Sequence, residues 1–193
     1  MLNEACRVIT GTLRPTPTNT LYKLAGIAPP EIRRHTTTKI EKSKQILDSR
    51  HPLHPHVQVP SRLKSRKSFA TVEELPIHVP AQNDRMDQCK DFDGRLPPNS
   101  AVQDPTEEIA DGALLPRRDW CALNRARAGV ARTGDNLVKW DLKTDQSCEC
   151  GENIQTISHI LRSCPLSHNL DNCDLVNVNE RTLQWLAVWR DKL

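Results

Sequence analysis

Apolar residues recur at helical spacing in short stretches of this chain, and prolines cut the stretches apart. Over residues 2–14, Ala5, Val8, Ile9 and Leu13 fall near one helical face, and Pro15 and Pro17 end that segment. Thr18 or Asn19 can cap a short second helix through Leu21, Tyr22 and Leu24, closed by Gly26. Pro29 and Pro30 open a longer polar helix, Glu31 to about Ser49. Its apolar positions (Ile32, Ile40, Ile46, Leu47) are sparse, so it reads as largely exposed. Between His51 and Pro116 periodicity fades and nine of the fourteen prolines accumulate, which predicts a linker, irregular or disordered for most of its length.

Helical patterning resumes at Arg117. On a helix from Arg118, residues Trp120, Leu123, Ala126 and Val130 share one side, and Arg118, Arg125 and Arg132 stack nearly opposite. Gly129 weakens the second half of that helix and Gly134 ends it, before a turn into Leu137, Trp140 and Leu142. Asn179 can cap a last helix rich in Leu183, Trp185, Leu186, Val188 and Trp189. The predicted fold class is therefore mainly α: small helical clusters, a long irregular linker and a short zinc-knuckle-like module. The expected divisions are a helical segment over 1–50, a linker over 51–116, and a helical region over 117–193 containing a Cys/His module at 148–165.

That module carries the sharpest chemistry. Cys148, Cys150, His159 and Cys164 spell Cys-x-Cys-x8-His-x4-Cys within seventeen residues. Three thiolates and an imidazole are the donor set of a closed structural zinc site, and four protein ligands leave no position for a catalytic water. Gly151 eases the turn that would bring the first two sulfurs together, a short helix from Ile154 to Arg162 would present His159, and Pro165 stops the chain beyond Cys164. Bound metal would contribute on the order of 10 kcal/mol to folding, more than so short a polar segment gains by packing. The alternative is that these are simply buried thiols with a filling histidine. His51, His54 and His56, in His-Pro-Leu-His-Pro-His, read instead as a solvated loop.

Composition narrows the classes. A hydrophobic share of 37%, 4% aromatics and a mean hydropathy of −0.60 argue against one core spanning 193 residues. Seven cysteines, with no apolar leader at the start, point to a reducing interior (cytoplasm or nucleus) and against secretion. No apolar run approaches a membrane span. A net charge of +3 permits a nucleic-acid partner without requiring one. Arg118, Arg125 and Arg132, with the run Arg62, Lys64, Arg66 and Lys67, are the candidate phosphate contacts, each of which can equally be a solvated face. Trp120 and Trp140 are candidate stacking platforms or core residues. No nucleophile elbow, phosphate-binding glycine loop or adjacent aspartate pair is present, so no catalytic site can be assembled.

Two blocks carry a likeness to a known family. Ala5 to Pro17, with Leu21 to Arg34, resembles the region beyond the polymerase palm in non-LTR retrotransposon reverse transcriptases of the RTE and jockey kinds. Leu114 to Trp120, Leu123 to Arg132, the Cys-x-Cys-Gly, Gln155-Thr-x-x-His-Ile and Cys164-Pro resemble their C-terminal end. The resemblance implies a structural zinc held by Cys148, Cys150, His159 and Cys164, a thumb or connector over residues 1–50, and RNA or single-stranded DNA as partner. It also implies that the rest of the polymerase chain, with the catalytic aspartates, lies elsewhere in a full-length element. The chain is accordingly expected to have no enzyme activity of its own and to engage neither a membrane nor a small-molecule substrate. The other readings are a relic or domesticated fragment acting as a zinc-stabilised protein-interaction module, and a degenerate copy without function.

Overall fold

The computed structural model describes residues 1–54, 80–93 and 109–193. Nine helices and no strand are present among them: α1 (Leu2–Thr10), α2 (Thr18–Leu24), α3 (Pro30–Leu47), α4 (Ala81–Asp93), α5 (Arg117–Arg127), α6 (Gly134–Lys139), α7 (Ile157–Arg162), α8 (Asn172–Val176) and α9 (Glu180–Trp189). The protein is mainly α, as the periodicity predicts. The helices divide into two compact units, one built from residues 1–27 with 95–193 and the other from 28–94.

The first unit holds the larger core. Leu123 and Ala126 of α5, Ile160 and Leu161 of α7, Leu175 of α8, and Trp185, Leu186 and Trp189 of α9 pack into one cluster with Cys148 and Cys164. Side chains cap the N-termini of α8 and α9. Asn179 and Thr182 form a reciprocal capping box on α9, and Asp171 and Asp174 form one on α8. The Arg127 guanidinium, 2% exposed, donates to the Leu175 carbonyl at 2.6 Å and the Val176 carbonyl at 3.2 Å, stapling α5 to the end of α8. Burial lowers its pKa to about 10, still well above neutral, so it stays charged.

How α1 joins this unit departs from the apolar pattern. Val8 is 71% exposed and Ile9 39%, while Cys6 and Thr10 are buried. The reason is hydrogen bonding. The last carbonyls of α1 have no partners within their own helix, and side chains of α5 supply them. Arg117 donates to the carbonyls of Val8 and Ile9, Trp120 Nε1 to Ile9 at 2.8 Å, Asn124 Nδ2 to Thr10 at 2.9 Å and Arg125 Nε to Gly11 at 3.0 Å. Two guanidinium groups also face the negative end of the helix dipole. Gly11, at φ 70°, reverses the chain so closely on α5 that a Cβ there would lie 2.1 Å from Cys121 Sγ. α5 itself ends at Arg127, ahead of Gly129 at φ 66°, and Gly134 begins α6 rather than closing α5.

The second unit pairs α3 with α4, a helix inside the segment expected to be linker; much of the rest of that segment lies outside the described residues. A small apolar contact of Ala28, Ile32 and Cys89 is extended by a polar stripe at helical spacing. Asp84 accepts from Thr36 Oγ1 at 2.8 Å and Lys39 Nζ at 2.7 Å, and Gln88 donates to Asp84 at 2.7 Å. Polar matching hides such a pairing from a hydrophobic pattern. Of the expected apolar positions on α3, Ile32 is buried, and Ile46 and Leu47 are exposed. His51 and His54 are half-buried at the end of this unit, His54 Nδ1 lying 3.0 Å from the Gln45 carbonyl. His56 lies outside the described residues.

Candidate metal centre

The loop before α7 is folded by its own backbone. Gly151 N donates to the Cys148 carbonyl and Cys148 N to the Glu152 carbonyl, both at 2.9 Å. This tight turn, with Gly151 at φ 94°, sets Cys148 and Cys150 beside each other. Gln155 N donates to the Gln146 carbonyl at 2.7 Å and closes the base of the loop. Thr156 then caps α7, its hydroxyl accepting from the backbone N–H of His159 at 3.1 Å. The carbonyl of His159 accepts from Ser163 N and Cys164 N at 3.0 and 2.9 Å, which turns Cys164 back toward the imidazole.

The outcome is convergence. The ligand atoms of Cys148, Cys150, His159 and Cys164 all lie within 4.8 Å of one another. Cys148 Sγ is 3.9 Å from Cys164 Sγ, and Cys150 Sγ is 3.2 Å from His159 Nε2. A tetrahedral ion with metal–sulfur and metal–nitrogen bonds of about 2.3 and 2.0 Å would space its ligands by roughly 3.5–3.8 Å. The group is compatible with a structural zinc site. Cys148 and Cys164 are buried in the main core and Cys150 and His159 are half-buried, so the centre faces inward on one side and solvent on the other.

Surrounding groups favour a thiolate at Cys148. Burial alone would raise that thiol, but the Cys150 N–H and the Gln155 amide outweigh it and bring it down to about 7. Burial, with the thiols of Cys148 and Cys150 alongside, pushes Cys164 up to about 11. A cation among the sulfurs would relieve that conflict. Two contacts stand just outside the ligands. Gln155 Nε2 lies 3.6 Å from Cys148 Sγ while its Oε1 accepts from Gly134 N at 2.9 Å, and Ser163 Oγ lies 3.3 Å from His159 Nδ1. Spacing could have found the Thr156 cap, which stands three residues before His159; the Gln155 contacts need the loop folded first.

The expected phosphate contacts fare differently. Arg118 is exposed on α5 and pairs with Asp191 at 3.4 Å, an exposed ion pair that leaves it accessible. Arg125 is half-buried and spent on the carbonyls of Gly11 and Leu193, at 3.0 and 2.9 Å. Arg132 is exposed but lies past the end of α5, so the three arginines do not share one helical face. Arg62, Lys64, Arg66 and Lys67 lie outside the described residues. Trp120 is buried with its indole N–H bonded to Ile9, and Trp140 is half-buried. No helix among the described residues is long and apolar enough to cross a membrane. No protein-family model, curated protein or solved structure matches the chain.

Proposed function

We propose that this chain is the nucleic-acid-binding C-terminal part of a retrotransposon RNA-directed DNA polymerase, ordered by a structural zinc ion and without catalytic residues of its own. The convergence of Cys148, Cys150, His159 and Cys164 carries this reading: it is the donor set of such a module, and the core of the first unit is built onto it. Zinc would supply folding free energy and fix the loop from Cys148 to Cys164, while the surrounding basic side chains, Arg118 and Arg132 among them, contact RNA or single-stranded DNA. In a full-length element the remaining polymerase chain would perform the chemistry.

The first test is zinc per chain in the purified protein and in Cys150→Ser. One zinc in the wild type and loss in the variant is expected; full retention refutes the ligand set. The second is binding of single-stranded oligonucleotides across a salt series, where phosphate contacts predict a steep loss between low and physiological salt. A second reading, a relic or domesticated protein-interaction module, is favoured by the exposure of Val8 and Leu114 and by the internal use of Arg125. Nucleic-acid binding that is absent, or indifferent to salt, would decide for it.

A further inference from the structure

With Arg125 turned inward, a strand held by this protein needs another place to be gripped. A shallow, open cleft of about 530 Å³ lies where the end of α7 meets the start of α8. Leu170, 3% exposed, lies beneath its floor as part of the core and offers little surface of its own. Arg162 stands on one wall, at the end of the helix that carries His159. Among the described residues no carboxylate pairs with Arg162; its contact is Asn172 Oδ1 at 3.5 Å.

On the other wall Arg181 is held by Asp174 at 3.0 Å, a carboxylate only 6% exposed, while the Arg181 side chain remains 55% exposed. It is an anchored, open guanidinium. Asn169, Asp171 and Asn172 complete the rim. Asp171 would repel an isolated phosphate. Amides and a carboxylate suit the mixed donors and acceptors of a base edge, and an arginine without an acidic partner suits the phosphate attached to it.

We propose that this cleft seats one unpaired nucleotide of a single-stranded RNA or DNA, its base edge on the rim amides of Asn169 and Asn172 and its phosphate on Arg162. The inference rests on the nucleic-acid reading above and names the surface that would perform it. Cys173 lines the same cleft and is exposed, whereas Cys6, Cys89, Cys148 and Cys164 are buried, so its thiol is a reporter built into the site. The zinc-loaded chain is titrated with fluorescein-labelled 12-nucleotide RNA and DNA by anisotropy, and N-ethylmaleimide labelling of Cys173 is timed by peptide mass spectrometry with and without saturating oligonucleotide.

The expected results are labelling of Cys173 slowed at least about fivefold by the oligonucleotide, and affinity lowered about tenfold in Arg162→Ala, whose zinc content stays at the wild-type value. The RNA and DNA titrations decide which strand is preferred. If oligonucleotide binds with Cys173 labelling and Arg162→Ala affinity both unchanged, the strand lies elsewhere and the cleft assignment is overturned while the nucleic-acid reading stands. If the wild-type chain binds neither strand at low salt, both are overturned.

Discussion

Replacing Gln155 tests how the metal centre is tied to the rest of the fold. One side chain bridges two structures: Oε1 accepts the N–H of Gly134, a buried residue at the start of α6, and Nε2 points at Cys148 Sγ. Gln155→Ala leaves that N–H without an acceptor, at about 1–3 kcal/mol, and removes a hydrogen bond to a thiolate, at about 1.5–3 kcal/mol. The metal-loaded variant should thus lose about 2.5–6 kcal/mol of stability. Gln155→Glu separates the contributions. A carboxylate can still accept from Gly134, but it presents no donor to the sulfur and adds negative charge beside it. Its metal-free form should melt near the wild type, while zinc affinity falls about 10- to 100-fold, the usual cost of losing a contact that orients a metal ligand. Competition against a chromophoric chelator measures the affinity, and melts with and without chelator measure the stability. Wild-type zinc affinity in Gln155→Glu, or melting of Gln155→Ala within about 0.5 kcal/mol of wild type in both metal states, refutes the bridge.

Gly11→Ala combines a left-handed backbone with an overlap on Cys121, and should cost about 2–4 kcal/mol. Gly129→Ala, equally left-handed but with open space around it, should cost only about 1 kcal/mol, and equal effects in chemical denaturation would contradict the tight approach of α1 to α5. Arg127→Met deprives the carbonyls of Leu175 and Val176 of their donor and should destabilise by about 3 kcal/mol, with Arg127→Lys failing to restore it because one ammonium cannot reproduce the fork; full rescue by lysine would argue against that geometry. Asp174 is held below the usual carboxylate pKa by the Asn179 amide and the Asp171 N–H, against the effect of burial, with Arg181 adding to the shift. Its contribution is therefore fully present above the unfolded carboxylate pKa of about 3.9 and is lost as pH falls through the lower folded value. Melts from pH 6 to 3 should show a shallower acid loss in Asp174→Asn, and parallel curves would remove Asp174 from the acid transition.

The parts of this protein written as local signals were legible in the sequence. Prolines bound the starts of α2 and α3, with Pro17 rather than the expected Thr18 or Asn19 at the N-cap of α2, Asn179 caps α9, and the Cys/His spacing picks out the four residues whose ligand atoms converge. Features that depend on polar matching across distance were not. The apolar positions of α1 suggested the wrong buried face, because α5 holds that helix by its carbonyl ends rather than by a greasy stripe. The α3–α4 pairing was hidden for the same reason: Thr36, Lys39, Asp84 and Gln88 do work that a periodicity search assigns to leucines. Arg125 shows the limit for function. Spacing placed it on a solvated stripe, and only the folded position of Gly11 and Leu193 shows that its charge is used internally.

The hydrogen bonds from α5 to the end of α1 join residues up to 114 positions apart, and they close a chain excursion that contains the whole second unit. The entropy of closing such an excursion grows only with the logarithm of its length, so doubling it adds about 0.6 kcal/mol. The closure of that ring is therefore nearly indifferent to how many residues lie inside it, whereas a single residue inserted between Arg117 and Arg125 would rotate the donors away from their carbonyls and open it.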